Sequence, residues 1–507
     1  MEGFVMTRWT QFAGTTALGC VFWASAASAD VTAQDVWSDW RSYLTDYGYQ
    51  VTATETTSGD TLTVADLKLA MEIPENEGRV MMQIPALTLT NQGNGTVLVQ
   101  VPEIAHVLLD IETEDDEDFE ASVSVDLSTA QYVASGEPNN MVFDYQATSA
   151  DITLEKLVVD EEVMGNISFS LNLGDISGNT AMKKSDMRDI SQEIRAETLS
   201  YDLRVVVPDE EGSLVVTGSS EDIVFDGTSL LPLVMDTENP ANFFKGGANF
   251  AGKFSQGASK TEVTGSDDGK PFSAQIASAS GEVEIGLTEG ALRYDGGGKG
   301  LTVNIAGADI PFPLSFEMQE VGYKLMMPLL AKADAQDFGL GINLGGLAVP
   351  DVLWNLFDPA NVLPRDPATL RFDVTGKTTL MTDLVDPEIE QADEFPGELN
   401  ALTLSDLQVS VAGADLTGSG DFTFDNSDME SFDGLPRPLG AAAFRLMGGN
   451  GLLDKLIQMG FVAEQDAMGA RMMMGLFATA GPAEDELNSR IEVNEQGHVL
   501  ANGQRIK

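Results

Sequence analysis

The sequence predicts a mainly β protein with minor α content, built from extended or curved antiparallel sheets or a sandwich with repeated hairpins. Runs of alternating apolar and polar residues recur along the 507-residue chain, at intervals of about 8–15 residues. Gly, Asn and Asp clusters separate these runs, and few stretches have the period of a helix. Hydrophobic residues make up 43% of the chain, which favours a buried core over disorder.

The first thirty residues have the pattern of an export signal. Arg8 supplies a positive charge, residues 12–27 are apolar or small, and Ala27 and Ala29 fit the signal-peptidase rule. We therefore expect cleavage after Ala29 and a periplasmic protein. A lipobox-like segment ending at Cys20 leaves acylation of that residue as the alternative. An uncleaved membrane anchor is not favoured, because the apolar run of the leader is shorter than the roughly 20 residues of a membrane span. No integral span is expected in the mature chain.

The composition excludes several kinds of function. A net charge of −52 repels phosphate backbones, so no nucleic-acid partner is expected, and docking on an anionic membrane is disfavoured. Cys20 is the only cysteine, so a chain cleaved after Ala29 has no disulfide and no thiol chemistry.

One helix is predicted directly after the leader. Thr32 is a suitable N-cap, Asp35 completes a capping box with a shorter side chain than usual, and Gly48 is a stop. Apolar and aromatic residues recur at helical spacing: Val36, Trp40, Tyr43, Leu44 and Tyr47. We expect this helix to pack with its aromatic face against a sheet.

Strands follow in a long series. The predicted strands are 49–56, 61–73, 87–90, 96–101, 121–127, 151–159, 167–173, 201–207, 213–216, 223–226, 273–276, 282–287, 301–305, 370–374, 402–411, 418–424, 490–493 and 499–501. The segment 91–95, with two glycines and two asparagines, predicts a hairpin between the third and fourth of them.

Helical interruptions are predicted at four places. Residues 179–196 are polar and weakly amphipathic, residues 321–335 contain three spaced leucines, and residues 349–357 form a short segment. The block 439–480 predicts two or three short helices before a final hairpin.

The predicted organisation is a signal peptide over 1–29, an N-terminal β-rich domain over 30–240, a middle β-rich domain with short helices over 241–390, and a C-terminal part over 391–507. This last part combines a β-hairpin repeat with a helical cap. Linker candidates are 237–240 and 386–396. Residues 301–310 and 407–416 share Leu, Val and a complete Ala-Gly-Ala-Asp turn, which indicates a duplicated strand–turn unit or convergent composition.

Few residues suggest catalysis. His106 is predicted to be a strand residue and His498 an exposed turn residue, which leaves little material for a histidine-based site. Two acidic clusters are predicted to be solvated loops, with calcium binding as the alternative. They comprise Glu112, Glu114, Asp115, Asp116, Glu117, Asp118 and Glu120 in the first, and Asp421, Asp425, Asp428 and Asp433 in the second.

Two further motifs have structural interpretations. Residues 295–300, Asp-Gly-Gly-Gly-Lys-Gly, lack the ending of a phosphate loop and predict a flexible hairpin connection. Met468, Met472, Met473 and Met474 lie in a predicted helix that either packs on the sheet or forms a flexible lid over an apolar groove. We assign no catalytic, cofactor-binding or metal-ligating residue and expect no cofactor.

Three segments resemble a known family. They are residues 351–370, which include Trp354, Asn355 and a Pro-Arg-Asp-Pro turn, Val36-Trp37, and residues 494–503. Together they resemble an uncharacterised exported family of alphaproteobacteria, described only as a domain of unknown function. The resemblance implies a periplasmic location and brings no activity, cofactor or site. The repetitive β texture is also similar to AsmA-like envelope proteins, whose strands curve round an apolar groove for lipid.

The leading functional hypothesis is a soluble, non-catalytic periplasmic protein that binds an apolar or amphipathic ligand such as a lipid, or supports the cell envelope. The second hypothesis is a protein-binding or structural envelope component with an envelope protein as partner. The third is a carboxylate-based enzyme acting on glycans. A continuous apolar groove favours the first hypothesis, and a deep carboxylate-lined cleft favours the third.

Overall fold

The structure is a computed structural model that describes residues 30–73, 78–111, 119–159, 162–207, 212–234, 240–386 and 396–507. The predicted leader with Cys20, the acidic run 112–118 and most of both linker candidates lie outside these residues. The described part contains one antiparallel sheet of 27 strands and five helices. The mainly β prediction, with an N-terminal helix and C-terminal helices, is therefore confirmed.

The helices are α1 (Ala33–Asp46), α2 (Pro240–Lys245), α3 (Asp351–Phe357), α4 (Gly449–Gln458) and α5 (Glu464–Phe477). The first fourteen strands are β1 (Gln50–Ser58), β2 (Thr61–Ile73), β3 (Gly78–Asn91), β4 (Val97–Gln100), β5 (Ile104–Ile111), β6 (Phe119–Ser128), β7 (Gln131–Glu137), β8 (Asn140–Val159), β9 (Glu162–Val163), β10 (Ile167–Lys184), β11 (Met187–Val207), β12 (Gly212–Pro232), β13 (Asn249–Gln256) and β14 (Ser259–Asp267). The others are β15 (Lys270–Ser278), β16 (Ser280–Thr288), β17 (Ala291–Gly307), β18 (Leu314–Pro328), β19 (Gln336–Leu347), β20 (Ala368–Leu380), β21 (Gly397–Val411), β22 (Ala414–Asp425), β23 (Arg437–Met447), β24 (Thr479–Ala480), β25 (Glu486–Val493), β26 (Val499–Ala501) and β27 (Gln504–Arg505).

Most strands pair with their neighbours in sequence, as hairpins dictate. Four long strands instead pair along one side with two shorter strands that follow each other: β3 with β4 and β5, β8 with β6 and β7, β12 with β13 and β14, and β17 with β15 and β16. The predicted hairpin at 91–95 is confirmed by the pairing of β3 with β4.

The predicted domain boundaries fall between paired strands of this sheet. Strand β12 pairs with β13 across the boundary at 240, and β20 pairs with β21 across the boundary at 390. The backbone ladder therefore continues through both positions, and the three-domain division stays a prediction.

Helix α1 covers the main buried cluster of the described residues. The capping box is confirmed, since the Asp35 amide donates to the Thr32 hydroxyl at 3.3 Å and the Thr32 amide donates to the Asp35 carboxylate at 3.0 Å. Val36 and Trp37 are almost fully buried against apolar residues of β2, β3, β4, β7 and β8, including Leu89. The predicted packing of this helix on a sheet is therefore correct, and Val36, Trp40 and Leu44 of the predicted face contact the cluster. Trp37, the most buried aromatic residue of the helix, was not part of that predicted face.

Two predicted helices are wrong. Residues 179–196 form the hairpin of β10 and β11, and most of 321–335 belongs to β18. Both segments are rich in Met, Leu, Lys, Arg, Gln, Glu or Ala, which favour helices in isolation. Continuous pairing on both sides overrides this local preference.

The other helix predictions are largely confirmed. Helix α3 lies within 349–357, and the Pro-Arg-Asp-Pro turn joins it to β20. In the block 439–480, residues 439–447 belong to β23, and α4 and α5 follow before the final hairpin of β25 and β26.

The glycine-rich segment 295–300 is not a hairpin connection. It lies in the middle of β17, paired with β16 on one side and β18 on the other. The two repeat segments differ after their first strand. Residues 301–307 are the end of β17, and the next strand, β18, begins only at Leu314. Residues 407–411 are the end of β21, and β22 follows directly after a two-residue turn at Ala412 and Gly413.

Candidate apolar binding surface

One face of the sheet is apolar across most of its strands. Residues directly opposite each other in an antiparallel pair lie on the same face, so the pairing register traces a line of neighbours across the sheet. We call one such line the apolar row: Tyr132, Tyr145, Gly178, Ile194, Phe225, Phe254, Val283, Gly296, Tyr323, Ile342, Phe372, Leu407, Gly418 and Phe444. It crosses fourteen strands from β7 to β23, which corresponds to roughly 60 Å at the usual strand spacing.

Apolar residues also flank this row on the same face. The line through Ile285, Tyr294, Leu325, Leu340 and Val374 lies on one side, and the line through Val321, Leu344, Leu370, Val409 and Leu416 lies on the other. Many of these side chains are incompletely covered: Phe254 is 37% exposed, Tyr323 38% and Ile342 43%. The face therefore presents a long strip of half-exposed apolar surface.

The glycines of the apolar row do not interrupt it. The Tyr145 ring lies over Gly178, the Tyr323 ring over Gly296, and the Phe444 ring at 2.6 Å from where a Gly418 Cβ would stand. In each case the ring belongs to the directly paired residue, which is how an aromatic side chain compensates for a glycine in a sheet. Gly296, in the glycine-rich segment of β17, thus leaves the space that the Tyr323 ring occupies.

The opposite face carries charged and polar groups. A cleft of about 480 Å³ on this face is lined by residues that include Glu320, Lys324, Arg371 and Asp373. Lys324 Nζ lies 3.3 Å from Asp373, and hydrogen bonds from Asn343 and Arg371 hold the pKa of Glu320 below its ordinary value. A glycosidase-type general acid needs a raised pKa, so Glu320 is unsuited to that role.

At its N-terminal end the apolar row runs under α1 into a pocket of about 520 Å³. We call it the α1 pocket; its lining is Asp39, Trp40, Tyr43, Tyr132, Phe143, Tyr145, Thr180, Met182, Arg188, Ile190, Gln192 and Ile194. Trp40 packs on Phe143 with ring centroids 5.6 Å apart, and Tyr132 stacks on Tyr145 at 5.5 Å. Its size and aromatic walls are typical of a small-molecule site.

A buried ion pair forms one wall of the α1 pocket. Arg188 is 1% exposed and donates to both carboxylate oxygens of Asp39, at 2.8 and 3.1 Å. Its guanidinium also lies 4.8 Å from the centroid of the Tyr43 ring, a cation–π contact. The ammonium of Lys184 lies 3.6 Å from Asp39 Oδ1. Two cations therefore face one carboxylate at this site.

Two tyrosines near the pocket keep their protons to unusually high pH. Burial and the neighbouring Tyr145 raise the pKa of Tyr132. Burial raises the pKa of Tyr47 to about 12, with Tyr43 and Asp46 adding to the shift and Arg188 opposing it. The Tyr47 hydroxyl donates to the carbonyl of Pro232 at 2.8 Å, which ties α1 to the end of β12.

This shift makes a testable prediction about high pH. A pKa raised in the folded state stabilises the protein fully below the unfolded value of about 10, and this contribution is lost as pH rises from there to about 12. We expect Tyr47→Phe to remove part of the stability loss over that interval, measured by denaturant unfolding at several pH values. Tyr49→Phe is the control variant. Identical pH profiles for wild type and Tyr47→Phe would contradict the assignment.

The histidines and acidic residues singled out in the sequence lie elsewhere. His106 is an exposed residue of β5 and contacts Glu155 at 3.2 Å, so its strand assignment is correct. His498 lies between β25 and β26 as expected, but it is half-buried, with its amide donating to the Asn494 side chain, so the prediction of an exposed residue is wrong. Of the second acidic cluster, Asp425 and Asp428 contact Arg437 at 2.7 and 3.6 Å.

No group of three or more His, Cys, Asp or Glu side chains within the described residues is arranged to hold a metal ion. No helix among those residues is long and apolar enough to cross a membrane.

The methionine-rich segment forms α5 and is mostly exposed. Met468 and Met472 are each 71% exposed, and Leu476 continues this stripe at the same four-residue spacing. Ala467 is the one buried residue that this helix has, and the helix contacts β25 at its C-terminal end, where the Ser489 hydroxyl donates to the Phe477 carbonyl at 2.7 Å. The helix therefore packs on the sheet as predicted, but Met468, Met472 and Met473 point away from it. A lid over the apolar face stays a prediction.

Sequence reasoning missed Asp39, Lys184 and Arg188. Asp39 lies within a correctly predicted helix, but its partner is 149 residues away. A local signal for the other two was Ser185-Asp186, which fits a tight turn. Met187, Ile190 and Ile194, however, are spaced three and four residues apart, which is the period of a helix. This period and the high helix propensity of the segment concealed the turn signal.

Comparison with known families gives one assignment. The model of a family described as an uncharacterised protein conserved in bacteria, DUF2125, matches residues 233–502. The chain belongs to this family. The match includes 351–370 and most of 494–503, on which the resemblance to a domain of unknown function rests. In this DUF2125 protein α1 and the α1 pocket precede the matched range, and the AsmA-like resemblance is not confirmed.

Two solved structures show low similarity to this chain. The ferric citrate transporter FecA in its unliganded form has a TM-score of 0.17 and 7% identity, with 90% of this chain and 77% of that one covered. BauA, the ferric preacinetobactin receptor from Acinetobacter baumannii, has a TM-score of 0.13 and 10% identity, with 90% and 79% covered. Neither score indicates a fold shared with this DUF2125 protein. No curated protein sequence matches it.

Proposed function

We propose that this protein binds an apolar or amphipathic ligand, a lipid, along the apolar row, in the periplasm after removal of the leader. The observation that carries the proposal is the continuity of the row. Side chains that include Phe254, Tyr323 and Ile342 form an unbroken, half-exposed line on one face, while the other face is charged. Extended apolar patches of this kind are uncommon on monomeric proteins and mark interaction sites.

The sheet backbone suits an apolar ligand. Strands in the middle of the sheet, such as β18 and β19, are paired on both sides, so their amide and carbonyl groups are satisfied within the sheet. An acyl chain on this face meets side chains alone and desolvates no unpaired backbone group. Each Å² of apolar surface removed from water contributes roughly 25 cal/mol.

Two adjacent residues of β13 provide a matched test. Phe254 belongs to the apolar row, and Ser255 lies on the opposite face beside Glu282. We expect Phe254→Lys to weaken binding of a fluorescent acyl-chain probe by about 5-fold or more, since it places an ammonium in the strip. Ser255→Lys makes the same change in charge and should leave binding unchanged.

Native mass spectrometry of the purified protein supplies the second measurement. We expect wild type and Ser255→Lys to carry co-purified lipid, and Phe254→Lys to carry less. Wild-type protein that carries no lipid and binds no acyl probe would refute the proposal, as would equal binding by the two lysine variants.

The exposed stripe of α5 favours a second candidate, a protein-binding envelope component. Met468, Met472 and Leu476 form a surface suited to an apolar partner. Under this alternative, a photo-crosslinker at Met472 captures an envelope protein while lipid extracts of the purified chain are empty.

A further inference from the structure

Strand β1 is an open edge of the sheet. Among the described residues it pairs on one side only, with β2, over the whole length from Gln50 to Ser58. Eight of its nine residues are exposed, and Val51 is the exception. At the other end of the sheet the last strand, β27, has only two residues. The edge of β1 therefore offers the longer series of unpaired backbone groups to another strand.

The turn between β1 and β2 determines which backbone groups of β1 face outward. The turn has two residues, so its closing pair, Ser58 and Thr61, exchanges N–H and C=O groups across the hairpin. These directions alternate along a strand, so Thr56 also points towards β2, whereas Glu55 and Thr57 point away from it. In the described part of the chain, the outward N–H and C=O groups of Glu55 and Thr57 have no partner.

The usual features that prevent strand addition are mostly missing from β1. The strand has no proline and no lysine, and the charge of Glu55 is compensated by Arg41 of α1, 2.9 Å away. The register shifts once, between Thr52 and Thr54, and is regular from Thr54 to Ser58. Four of the nine residues are threonine, which favours strands. The edge is thus regular and locally neutral, although the chain has a net charge of −52.

The order of residues along β1 makes the edge complementary to itself. In an antiparallel pair of two copies with the two-fold axis at Thr56, Glu55 lies opposite Thr57 of the second copy, and Thr54 lies opposite Ser58. Glu55 and Thr57 then exchange their outward backbone groups. The opposed threonine and serine side chains are favourable cross-strand neighbours. An axis at Glu55 would instead place two glutamates opposite each other, which is unfavourable.

The charge of the whole chain does not oppose this arrangement strongly. From β1 the two sheets extend away from the axis in opposite directions, through β2 and β3 of each copy. Charges further apart than a Debye length, about 10 Å at moderate salt, are largely screened. The groups nearest the axis are threonines and the compensated pair of Glu55 and Arg41.

We propose that two copies of this protein associate through β1, antiparallel about a two-fold axis at Thr56, so that their sheets join into one. Each copy contributes a single strand edge, so the interface is small and the dissociation constant of the dimer lies in the micromolar range. The apolar row runs from β7 to β23 and does not include β1, so this association leaves the proposed ligand surface open.

The first test removes an outward donor. Thr57→Pro deletes the N–H that faces the second copy, at a position where an edge strand accepts proline. Each dimer loses one hydrogen bond from each copy, so we expect its dissociation constant to rise by at least about 10-fold. Sedimentation velocity of the purified full-length protein over a range of concentrations measures this change. Thr57→Val keeps the N–H and the preference for a strand, and should leave the dimer unchanged.

The second test uses the two-fold axis itself. Thr56→Lys places two ammonium groups opposite each other, and Thr56→Glu places two carboxylates there, so each variant alone should be mainly monomeric. A mixture of the two variants should form a heterodimer, because opposite charges then meet across the axis. Thr63→Lys makes the same change on the same face of β2, directly beside Thr56, and should dimerise as wild type does.

Three results would overturn the proposal. Wild-type protein that stays monomeric at all concentrations would leave the edge to an extended segment of a different protein. A dimer that tolerates Thr57→Pro, or a mixture of the two Thr56 variants that stays monomeric, would exclude β1 as the interface. Circular dichroism melting curves of each variant show that a lost dimer does not reflect unfolding. Binding of the acyl-chain probe by the monomeric variants should equal that of wild type, so this proposal fails or stands separately from lipid binding.

Discussion

Replacing Arg188 with methionine is expected to lower the free energy of unfolding by about 3–5 kcal/mol. The substitution leaves the Asp39 carboxylate, 7% exposed, without its bidentate partner under α1. An unpaired buried charge is strongly destabilising, and Lys184 at 3.6 Å compensates for only part of the loss. Denaturant unfolding followed by circular dichroism measures the change.

Two further variants test the cause. Arg195→Met removes an exposed arginine of the same strand, paired with Glu193, and should have little effect. The double variant Asp39→Leu/Arg188→Met removes both charges and should be far more stable than Arg188→Met alone. A single Arg188→Met variant as stable as wild type would mean that α1 does not bury this pair.

Replacing Trp37 with alanine is expected to cost about 3–5 kcal/mol as well. Trp37 is 1% exposed and lies at the centre of the cluster between α1 and the sheet. The smaller change Trp37→Phe should cost much less than alanine. It keeps an aromatic ring and removes an indole N–H that is buried without a hydrogen-bond partner in the described structure. Circular dichroism during unfolding is the suitable measurement, because the substitution alters tryptophan fluorescence.

The shape of the unfolding transition of Trp37→Ala shows whether α1 unfolds together with the sheet. If Trp37→Ala unfolds in the same single transition as wild type but at lower denaturant concentration, α1 and the sheet are one cooperative unit. Equal costs for phenylalanine and alanine would contradict the role of ring packing.

The sequence predicted correctly those features that depend on a few adjacent residues. The capping box at Thr32 and Asp35, the hairpin at 91–95 and the turn after α3 each depend on a few adjacent residues. The alternating runs place every second residue on the same side of a strand, which is the local basis of the apolar face.

The errors arise where distant pairing competes with local preference. Residues 179–196 and 321–335 favour a helix by composition, yet both lie between long neighbouring strands. The register that aligns Tyr145, Ile194 and Phe254 into one row depends on turns and pairings far apart in the chain. The contact of Asp39 with Arg188 is of the same kind, and no local pattern announces it.

The half-exposed apolar row lowers the heat-capacity change that is expected when this protein unfolds. The heat capacity of unfolding rises with the apolar surface that folding removes from water, and side chains such as Ile342 are only partly removed. Each residue of this strip therefore contributes less to that heat capacity than a residue of a closed core. A ligand that covers the row would remove this remaining apolar surface from water. Its binding would therefore have a negative heat-capacity change.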